Sequence, residues 1–279
     1  MPPSVPCRVS GVQCAACSPL FKEKDMYPTL FHIGPLVIHT YGVFVAIGFI
    51  AGFKVLLNYT ERIGIPAQKV ESLVMWIFIF SIIGARLFYV VLTFGDFRYS
   101  PLDAFKIWQG GLFFSGGAAG GFAAAAVYIS RNKLPLAKLA DAGSVALALG
   151  QAIGRIGCFF AGCCYGVECD CWCGMKFPEN SLAPSGVKLI PTQVISSLLL
   201  FLIFFVLAGY NRRKKTDGQV CALYLVLYGV KRFCIEFLRG DFRGRAVLGL
   251  TPTQYIALAM FAGGIFSWKK LSSKKTSSG

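Results

Sequence analysis

The chain has 279 residues, of which 55% are hydrophobic and 15% charged, and its mean hydropathy is +0.61. A soluble domain carries about 25% charged residues, so this chain lacks the polar side chains that a water-exposed surface needs. The net charge of +15 would be typical of a nucleic-acid-binding protein. The basic residues, however, form short clusters between apolar segments. The composition therefore predicts a membrane protein with no nucleic-acid partner.

Seven apolar segments are long enough to cross a bilayer, which takes about 20 residues per helix. They comprise residues 35–57, 70–92, 111–130, 142–161, 190–209, 219–238 and 248–268. They predict an all-α, polytopic membrane protein with about seven transmembrane helices, in a single domain over residues 26–268. Glycines crowd the third segment, where small side chains let helices pack closely in lipid.

Basic clusters indicate how the segments are oriented. A cluster follows every odd-numbered segment, with Arg62 and Lys69, then Arg131, Lys133 and Lys138, then Arg212 to Lys215, then Lys269, Lys270, Lys274 and Lys275. Such loops are cytoplasmic by the positive-inside rule. We therefore expect the N-terminus outside and the C-terminus in the cytoplasm of a bacterial cell, with the chain in the inner membrane. The loop that holds Arg243 and Arg245 would lie outside, against the rule, which is a first indication of function.

Both ends differ in composition from the apolar domain. Residues 1–25 lack the apolar core of a signal peptide, and "MYPTLFHIGP" from Met26 reads as a more natural start. We expect residues 1–25 to be a disordered extension or to precede the true start. Residues 269–279 are predicted to form a polar cytoplasmic tail.

Ionisable residues inside three of the segments are the main functional signal. Arg86, Arg155 and the pair Lys231–Arg232 each lie about six residues from the outer end of a segment, roughly 9 Å deep at the helical rise. Snorkelling to headgroups would explain one such arginine. Cations at one depth on three helices favour a ligand site instead. Guanidinium groups bind phosphate in a bidentate way, so the predicted ligand is a phospholipid headgroup.

Further polar residues are predicted at the same level. Arg232, Glu236 and Arg239 have i, i+4, i+7 spacing and would share one helical face, where Glu236 would hold an arginine in place. The other candidates near the outer ends of segments are His39, Tyr41, Ser115 and Gln193.

Six motifs resemble one family in chain order. They are "HTYG" (His39–Gly42), "GARLFYV" (Gly84–Val90), "WQGGLFFSGG" (Trp108–Gly117), "GRIGCFFAGCCYG" (Gly154–Gly166), "IPTQ" (Ile190–Gln193) and "KRFCIEFLR" (Lys231–Arg239). Together they resemble prolipoprotein diacylglyceryl transferases over about residues 27–268, a family for which seven spans and an outer N-terminus are expected.

The resemblance implies an enzyme that needs no cofactor. It would move a diacylglyceryl group from phosphatidylglycerol to the lipobox cysteine of a prolipoprotein, with glycerol phosphate leaving. By the same resemblance, Arg155 and Arg232 stabilise the leaving phosphate, Glu236 orients Arg232, and Tyr41 hydrogen-bonds the phosphate or glycerol. The implied substrate-binding residues are Arg86, Arg239, Ser115, Gln193, Gly154 and Gly166.

The chain departs from the family pattern at positions that bear on the chemistry. Ser115 stands where the family has a histidine, Cys158 where it has an asparagine, and Cys163 where it has a glutamate. A serine of ordinary pKa cannot act as a base near neutral pH. His39 is the candidate to act as the base instead. The alternative interpretation of His39, which the sequence supports equally, is a hydrogen-bonded residue at the membrane interface.

Six cysteines between Cys158 and Cys173 leave three interpretations open. An oxidising outer compartment favours disulfides. A metal site is the second, although "CDCWC" lacks the paired C-x2-C spacing of zinc modules. A redox pair at Cys163 and Cys164 is the third. The alternative to the transferase is accordingly a non-catalytic or differently acting phospholipid-binding or thiol-redox membrane relative. A transporter would place polar groups near mid-membrane and often show an internal repeat, neither of which we find.

Overall fold

The computed structural model describes residues 29–33, 36–94, 111, 113–171, 173–241 and 249–276. Within these ranges the chain forms seven helices, one on each predicted apolar segment. They are α1 (Thr40–Arg62), α2 (Ala67–Leu92), α3 (Phe114–Arg131), α4 (Leu136–Ala161), α5 (Thr192–Asn211), α6 (Gln219–Phe237) and α7 (Pro252–Thr276). The residues before position 29, including the predicted N-terminal extension, lie outside the described ranges.

Four of these helices, among the residues described, have the length and hydropathy needed to cross a bilayer: α1, α2, α4 and α5. Large apolar side chains on α2 are exposed, among them Phe78, Ile79, Leu87 and Val91. Lipid is the solvent that makes such a surface favourable. The chain is therefore a multi-pass membrane protein. α6 differs from these four helices because its 19 residues hold three charged side chains close together, Lys231, Arg232 and Glu236.

The first apolar segment does not begin as a helix. Strand β1 (Thr29–Ile33) pairs antiparallel with β2 (Leu36–His39), and α1 follows only at Thr40. A short apolar run cannot be assigned to helix or strand by periodicity alone, which is why the predicted start at residue 35 was wrong. A second small sheet pairs β3 (Met175–Lys176) with β4 (Lys188–Leu189). The all-α prediction thus describes the helices and misses two short hairpins.

The helices belong to two compact units. One contains the described residues from Leu57 to Leu139, and the other contains those up to Leu56 and those from Ala140 onward. In the former, α2 packs on α3 with almost no space between the backbones. A Cβ on Gly116 would lie 2.4 Å from the carbonyl oxygen of Gly84. The tight packing predicted for the glycine-rich segment is therefore confirmed.

In the other unit, α1 packs on α4 through the same kind of contact. A Cβ on Gly48 would lie 2.7 Å from the carbonyl oxygen of Gly150, and one on Gly157 would lie 3.2 Å from the carbonyl oxygen of Tyr41. The first turn of α1 is thereby brought against the last turns of α4. α6 packs closely on α7 as well, because a Cβ on Gly229 would lie 2.8 Å from the carbonyl oxygen of Ala257.

A buried carboxylate fixes the opposite end of α4. Asp141 accepts hydrogen bonds from Lys214 Nζ at 2.6 Å and from the backbone N–H groups of Gly218 at 2.8 Å and Cys221 at 2.9 Å. It therefore caps the start of α6 and neutralises Lys214, and it joins α4 to the α5–α6 loop. This residue was not predicted from the sequence.

Candidate functional site

The backbone that follows α4 turns sharply and brings three segments together. Gly162 and Cys164 both have positive φ, at 69° and 65°. Beyond the turn, Gly166 N–H donates to the carbonyl of Ile190 at 2.9 Å, and Val167 N–H donates to that of Leu238 at 3.0 Å. The ends of α4 and α6 and the segment before α5 therefore meet at one place.

Gly166 lies at the centre of this junction. A Cβ there would approach the carbonyl oxygen of Leu238 to 2.7 Å and the carbonyl oxygen of Ile190 to 2.8 Å. Close backbone packing thus accounts for the glycine. Gly154, by contrast, has open space where a Cβ would stand, with nothing within 4 Å among the residues described. A substrate contact at either glycine stays a prediction.

The first residues of α5 hold the turn after α4 in place. Thr192 Oγ1 donates to the carbonyl of Cys164 at 2.7 Å, and Gln193 Nε2 donates to that of Cys163 at 2.9 Å. Gln193 was predicted as a ligand contact, and the structure gives it this positioning role. Its Oε1 is buried and accepts no hydrogen bond from the described part of the chain. One acceptor at the junction therefore remains available to a donor.

The predicted pairing of Glu236 with an arginine is confirmed for Arg232. Arg232 NH2 lies 3.1 Å from Glu236 Oε2, and the two side chains are 11% and 4% exposed. Oε2 has no partner of hydrogen-bond geometry among the described residues, so the contact is an ion pair. Burying one of these charges alone would be costly, and the pair therefore fixes the guanidinium in one place.

Two threonines at the start of α7 hold the other oxygen of Glu236. Thr251 Oγ1 donates to Oε1 at 3.0 Å, and Thr253 Oγ1 donates to the same atom. Neither threonine was predicted from the sequence. The signal that could have found Thr253 is a repeated Pro-Thr-Gln at residues 191–193 and 252–254, which lies at the start of α5 and of α7.

Arg239 does not lie on the helical face that its spacing predicted, so that expectation was wrong. α6 ends at Phe237, and Arg239 instead forms a β-bridge with Gly166. Its guanidinium donates two hydrogen bonds to Asp241, at 2.7 and 2.6 Å. Burial opposes the charged form, but hydrogen bonds to Asp241 and to the sulfur of Cys164 raise the pKa of Arg239 above its usual value.

Four cations gather near the end of α6. The buried ammonium of Lys231 lies 5.1 Å from the ring centroid of Tyr228, and it is repelled electrostatically by Arg155, Arg232 and Arg239. Glu236 and Asp241 neutralise two of the four cations. Arg155, on α4, has no hydrogen-bond or ion-pair partner among the residues described. The cluster thus keeps an excess of positive charge that suits an anionic ligand.

Tyr41 lies at the edge of this cluster. It occupies the first turn of α1, is 45% exposed, and interacts electrostatically with Arg155 and with three cysteines at the end of α4. His39 ends β2 two residues earlier, and its side chain is exposed. Tyr41 thus lies within electrostatic range of Arg155, and His39 is accessible; a shared role of these residues stays a prediction.

The other compact unit holds two predicted residues. Arg86 is buried on α2, donates to the carbonyl of Gly111 at 3.3 Å, and lies 5.2 Å from the ring centroid of Tyr89. These contacts tie α2 to the residue that precedes α3. Ser115 is exposed in the first turn of α3. Trp108, Arg243 and Arg245 lie outside the described residues.

The six cysteines fall into two groups. Cys169 and Cys171 form a disulfide, and Cys173 Sγ lies 3.4 Å from Cys171 Sγ. The disulfide interpretation is thus confirmed for this pair. Cys158, Cys163 and Cys164 form the second group, with their sulfur atoms all within 4.8 Å of one another.

The second group lies where the polypeptide leaves α4. Hydrogen bonds with Cys158 and Cys163, and then with Arg239, lower the pKa of the Cys164 thiol. Hydrogen bonds with Cys158 and Cys164 raise the pKa of Cys163. Cys164 is therefore the thiol that ionises most easily among the three.

These features define a class of protein: a multi-pass helical membrane protein with fixed cations gathered where its helices end. The family model for prolipoprotein diacylglyceryl transferase matches residues 28–269. The chain belongs to this family, as its motifs predicted.

Curated relatives cover most of the chain. A protein from Clostridium perfringens named phosphatidylglycerol–prolipoprotein diacylglyceryl transferase 2 is 34% identical, over 86% of this chain and 94% of its own length. The transferase of Clostridium tetani is also 34% identical, over 86% of this chain and 96% of its own length. The Burkholderia cenocepacia transferase is 31% identical, over 85% of this chain and 92% of its own length.

Proposed function

We propose that this protein transfers a diacylglyceryl group from phosphatidylglycerol to the lipobox cysteine of prolipoproteins. The observation that carries the proposal is the cation cluster of Arg155, Lys231, Arg232 and Arg239, in a chain of this family. Its excess positive charge matches the phosphate that leaves in the reaction. The phosphatidylglycerol and prolipoprotein substrates are those that the relatives' names state.

The reaction forms one bond and breaks one. The cysteine sulfur attacks the glycerol carbon that bears the phosphate, a C–S thioether bond forms, and the C–O bond to phosphate breaks. Glycerol phosphate leaves with the electron pair, and the proton of the thiol goes to a base. The thiolate is the attacking species, so both thiol ionisation and stabilisation of the leaving phosphate lower the barrier.

Arg155 and Arg232 are assigned to the phosphate. A guanidinium presents two parallel N–H donors to phosphate oxygens, and Arg232 is already oriented by Glu236. Fixed charge in a site with little water needs no reorganisation when the leaving group gains charge. Tyr41, beside Arg155, would donate a hydrogen bond to the phosphate or glycerol.

The base and the remaining contacts are further parts of this proposal. His39 would accept the proton of the incoming thiol, since it is exposed close to Tyr41 in the chain. Gln193, with its buried Oε1, would accept a hydrogen bond from a glycerol hydroxyl. Arg239, Gly154 and Gly166 would complete the substrate-binding surface of this unit, and Arg86 and Ser115 are further proposed substrate contacts.

The proposed topology has seven transmembrane helices in the bacterial inner membrane. The N-terminus and the active site would face the outer side and the C-terminus the cytoplasm. The basic clusters at the ends of α1, α3, α5 and α7 support this orientation through the positive-inside rule. Phosphatidylglycerol would enter sideways from the bilayer, and the lipobox would arrive from the outer side.

The test is a transfer assay with the purified full-length protein, phosphatidylglycerol labelled in its diacylglyceryl part, and a lipobox peptide. We expect labelled thioether product from the wild type and from Arg212→Ala, in which an exposed arginine of the α5–α6 loop is removed. Arg155→Ala should lose at least about a hundredfold in rate, as when a preorganised donor is removed from an active site.

The alternative is a lipid-binding relative without transfer activity, and the same assay distinguishes it from the transferase. It would bind phosphatidylglycerol vesicles in an Arg155-dependent manner and yield no thioether. Equal transfer by wild type and Arg155→Ala would refute the assigned role of Arg155, and no transfer by the wild type would refute the proposed function.

A further inference from the structure

Three thiols converge on one turn that the transferase chemistry above does not use. Cys158 lies in the last turn of α4, and Cys163 and Cys164 follow the helix end. Their sulfur atoms all lie within 4.8 Å of one another. The positive φ at Gly162 and Cys164 turns the backbone after the helix end, and the three sulfur atoms lie close together at this turn.

The spacing of the sulfurs fits coordination to one ion. Zinc binds thiolates at about 2.3 Å, so two sulfurs of a tetrahedral site lie about 3.8 Å apart. The sulfur–sulfur distances here are at most 4.8 Å, which exceeds the zinc value by about 1 Å at most. Small side-chain rotations would therefore bring the three sulfurs into this arrangement. The turn itself is held by contacts that such rotations leave intact, because Thr192 and Gln193 bond the carbonyls of Cys164 and Cys163.

The surrounding charge suits an anionic metal–thiolate group. Three thiolates and one Zn²⁺ carry a net charge of −1. Arg239 bonds the sulfur of Cys164, and Arg155 lies within electrostatic range of Cys158. Buried thiolates without such compensation would be disfavoured. Soft thiolate ligands select zinc and other thiophilic ions over magnesium or calcium.

Three protein ligands leave one tetrahedral position unfilled. Structural zinc sites are closed by a fourth protein ligand, whereas sites that bind an external molecule keep one position for it. Among the described residues, the group of metal-binding side chains at this turn consists of the three cysteines alone. Arg239 hydrogen-bonds the sulfur of Cys164 and Arg155 is in electrostatic range of Cys158, so the three cysteines adjoin the proposed phosphate-binding cations.

We propose that Cys158, Cys163 and Cys164 bind one zinc ion and leave its fourth position to an external thiolate. The second half of this proposal rests on the proposed function, because the external thiol would be the acceptor cysteine. Coordination would favour loss of the proton of that thiol to the proposed base, His39, because a metal-bound thiol is deprotonated outright. Cys158 and Cys163 stand where the family has an asparagine and a glutamate. Through the metal, these two cysteines would thus help to ionise the acceptor cysteine.

The first experiment measures metal alone. Full-length protein is purified under reducing conditions, loaded with zinc, and freed of loose metal against a chelator, and bound zinc is measured by mass spectrometry. We expect about one ion per chain in the wild type and in the matched control Cys221→Ser/Cys234→Ser, which removes two thiols from α6. Cys158→Ser/Cys163→Ser/Cys164→Ser should retain none. Cys163→Ser alone should weaken zinc binding at least about tenfold.

Thermal unfolding and size-exclusion profiles accompany each variant, and the single substitution keeps the test valid if the triple variant misfolds. A wild type that holds no zinc, or a correctly folded triple variant that holds as much as the wild type, would overturn the proposal. So would a disulfide among the three cysteines in protein purified with reductant.

The second experiment tests the unfilled position. The protein is loaded with Co²⁺, whose visible absorption reports its ligands, and titrated with a lipobox peptide or with the same peptide carrying serine in place of cysteine. A spectral change with the cysteine peptide alone supports an external thiolate, and identical spectra with both refute that half. Because zinc content is measured without any transfer reaction, failure of the metal site and failure of the proposed function give separate results.

Discussion

Glu236→Gln is the substitution whose effect the structure defines most closely. It keeps the shape of the side chain and an oxygen that can accept from Thr251 and Thr253, and it removes the charge that faces Arg232. Arg232 NH2 and Glu236 Oε2 are separated by 3.1 Å. Their Coulomb attraction at this distance is roughly 5 kcal/mol at an effective dielectric constant of 20. The change removes the negative charge that faces the nearly buried guanidinium of Arg232.

The expected loss of stability is about 3 kcal/mol, the lower end for breaking a buried ion pair, because the threonine hydrogen bonds survive. Tm should fall by roughly 6–12 °C. Arg232 would also lose its fixed orientation, so kcat/KM for diacylglyceryl transfer should fall about 10- to 100-fold, which equals 1.4 to 2.7 kcal/mol of transition-state stabilisation. Thermal unfolding in detergent and the transfer assay measure the two effects.

Glu71→Gln, at an exposed glutamate on α2, is the matched control and should change neither quantity. A double-mutant cycle with Arg232→Ala isolates the pair. We expect a coupling energy above about 1 kcal/mol. A Tm and a transfer rate equal to those of Glu71→Gln, or a coupling energy near zero, would refute the role given to this ion pair.

The other predictions concern single positions and their matched variants. Arg155→Lys should recover only part of the transfer lost in Arg155→Ala, because an ammonium cannot make the bidentate phosphate contact; full recovery in the transfer assay would contradict this. Asp141→Asn should lower the free energy of unfolding by about 1–3 kcal/mol, since Lys214 and the backbone N–H groups of Gly218 and Cys221 lose a charged acceptor while Lys214 keeps Asp217; an unchanged Tm would contradict this. Gly166→Ala should cost about 1–3 kcal/mol by overpacking, whereas Gly154→Ala should leave Tm unchanged because its Cβ meets open space; equal melting curves for the two would show that the packing argument is wrong.

The location of the helices was predictable from the sequence, because a bilayer of fixed thickness demands apolar segments of one length. The i, i+4 spacing of Arg232 and Glu236 also predicted their contact, since neighbours on a helix are set by local geometry. The same spacing argument predicted the wrong position for Arg239. The helix ends at Phe237, and a β-bridge to Gly166 then sets its position.

The amino-acid sequence by itself determined the membrane class, the positions of the helical segments and, through its motifs, the family. The tertiary structure alone decided that Cys158, Cys163 and Cys164 converge, that Gln193 supports their turn, and that Thr251 and Thr253 hold Glu236. The physical reason is the range of the interactions. Helix length and i, i+4 contacts depend on nearby residues. Convergence of the cysteines depends on a backbone turn held by hydrogen bonds from residues about 30 positions away, and the sequence pattern carries no measure of that distance.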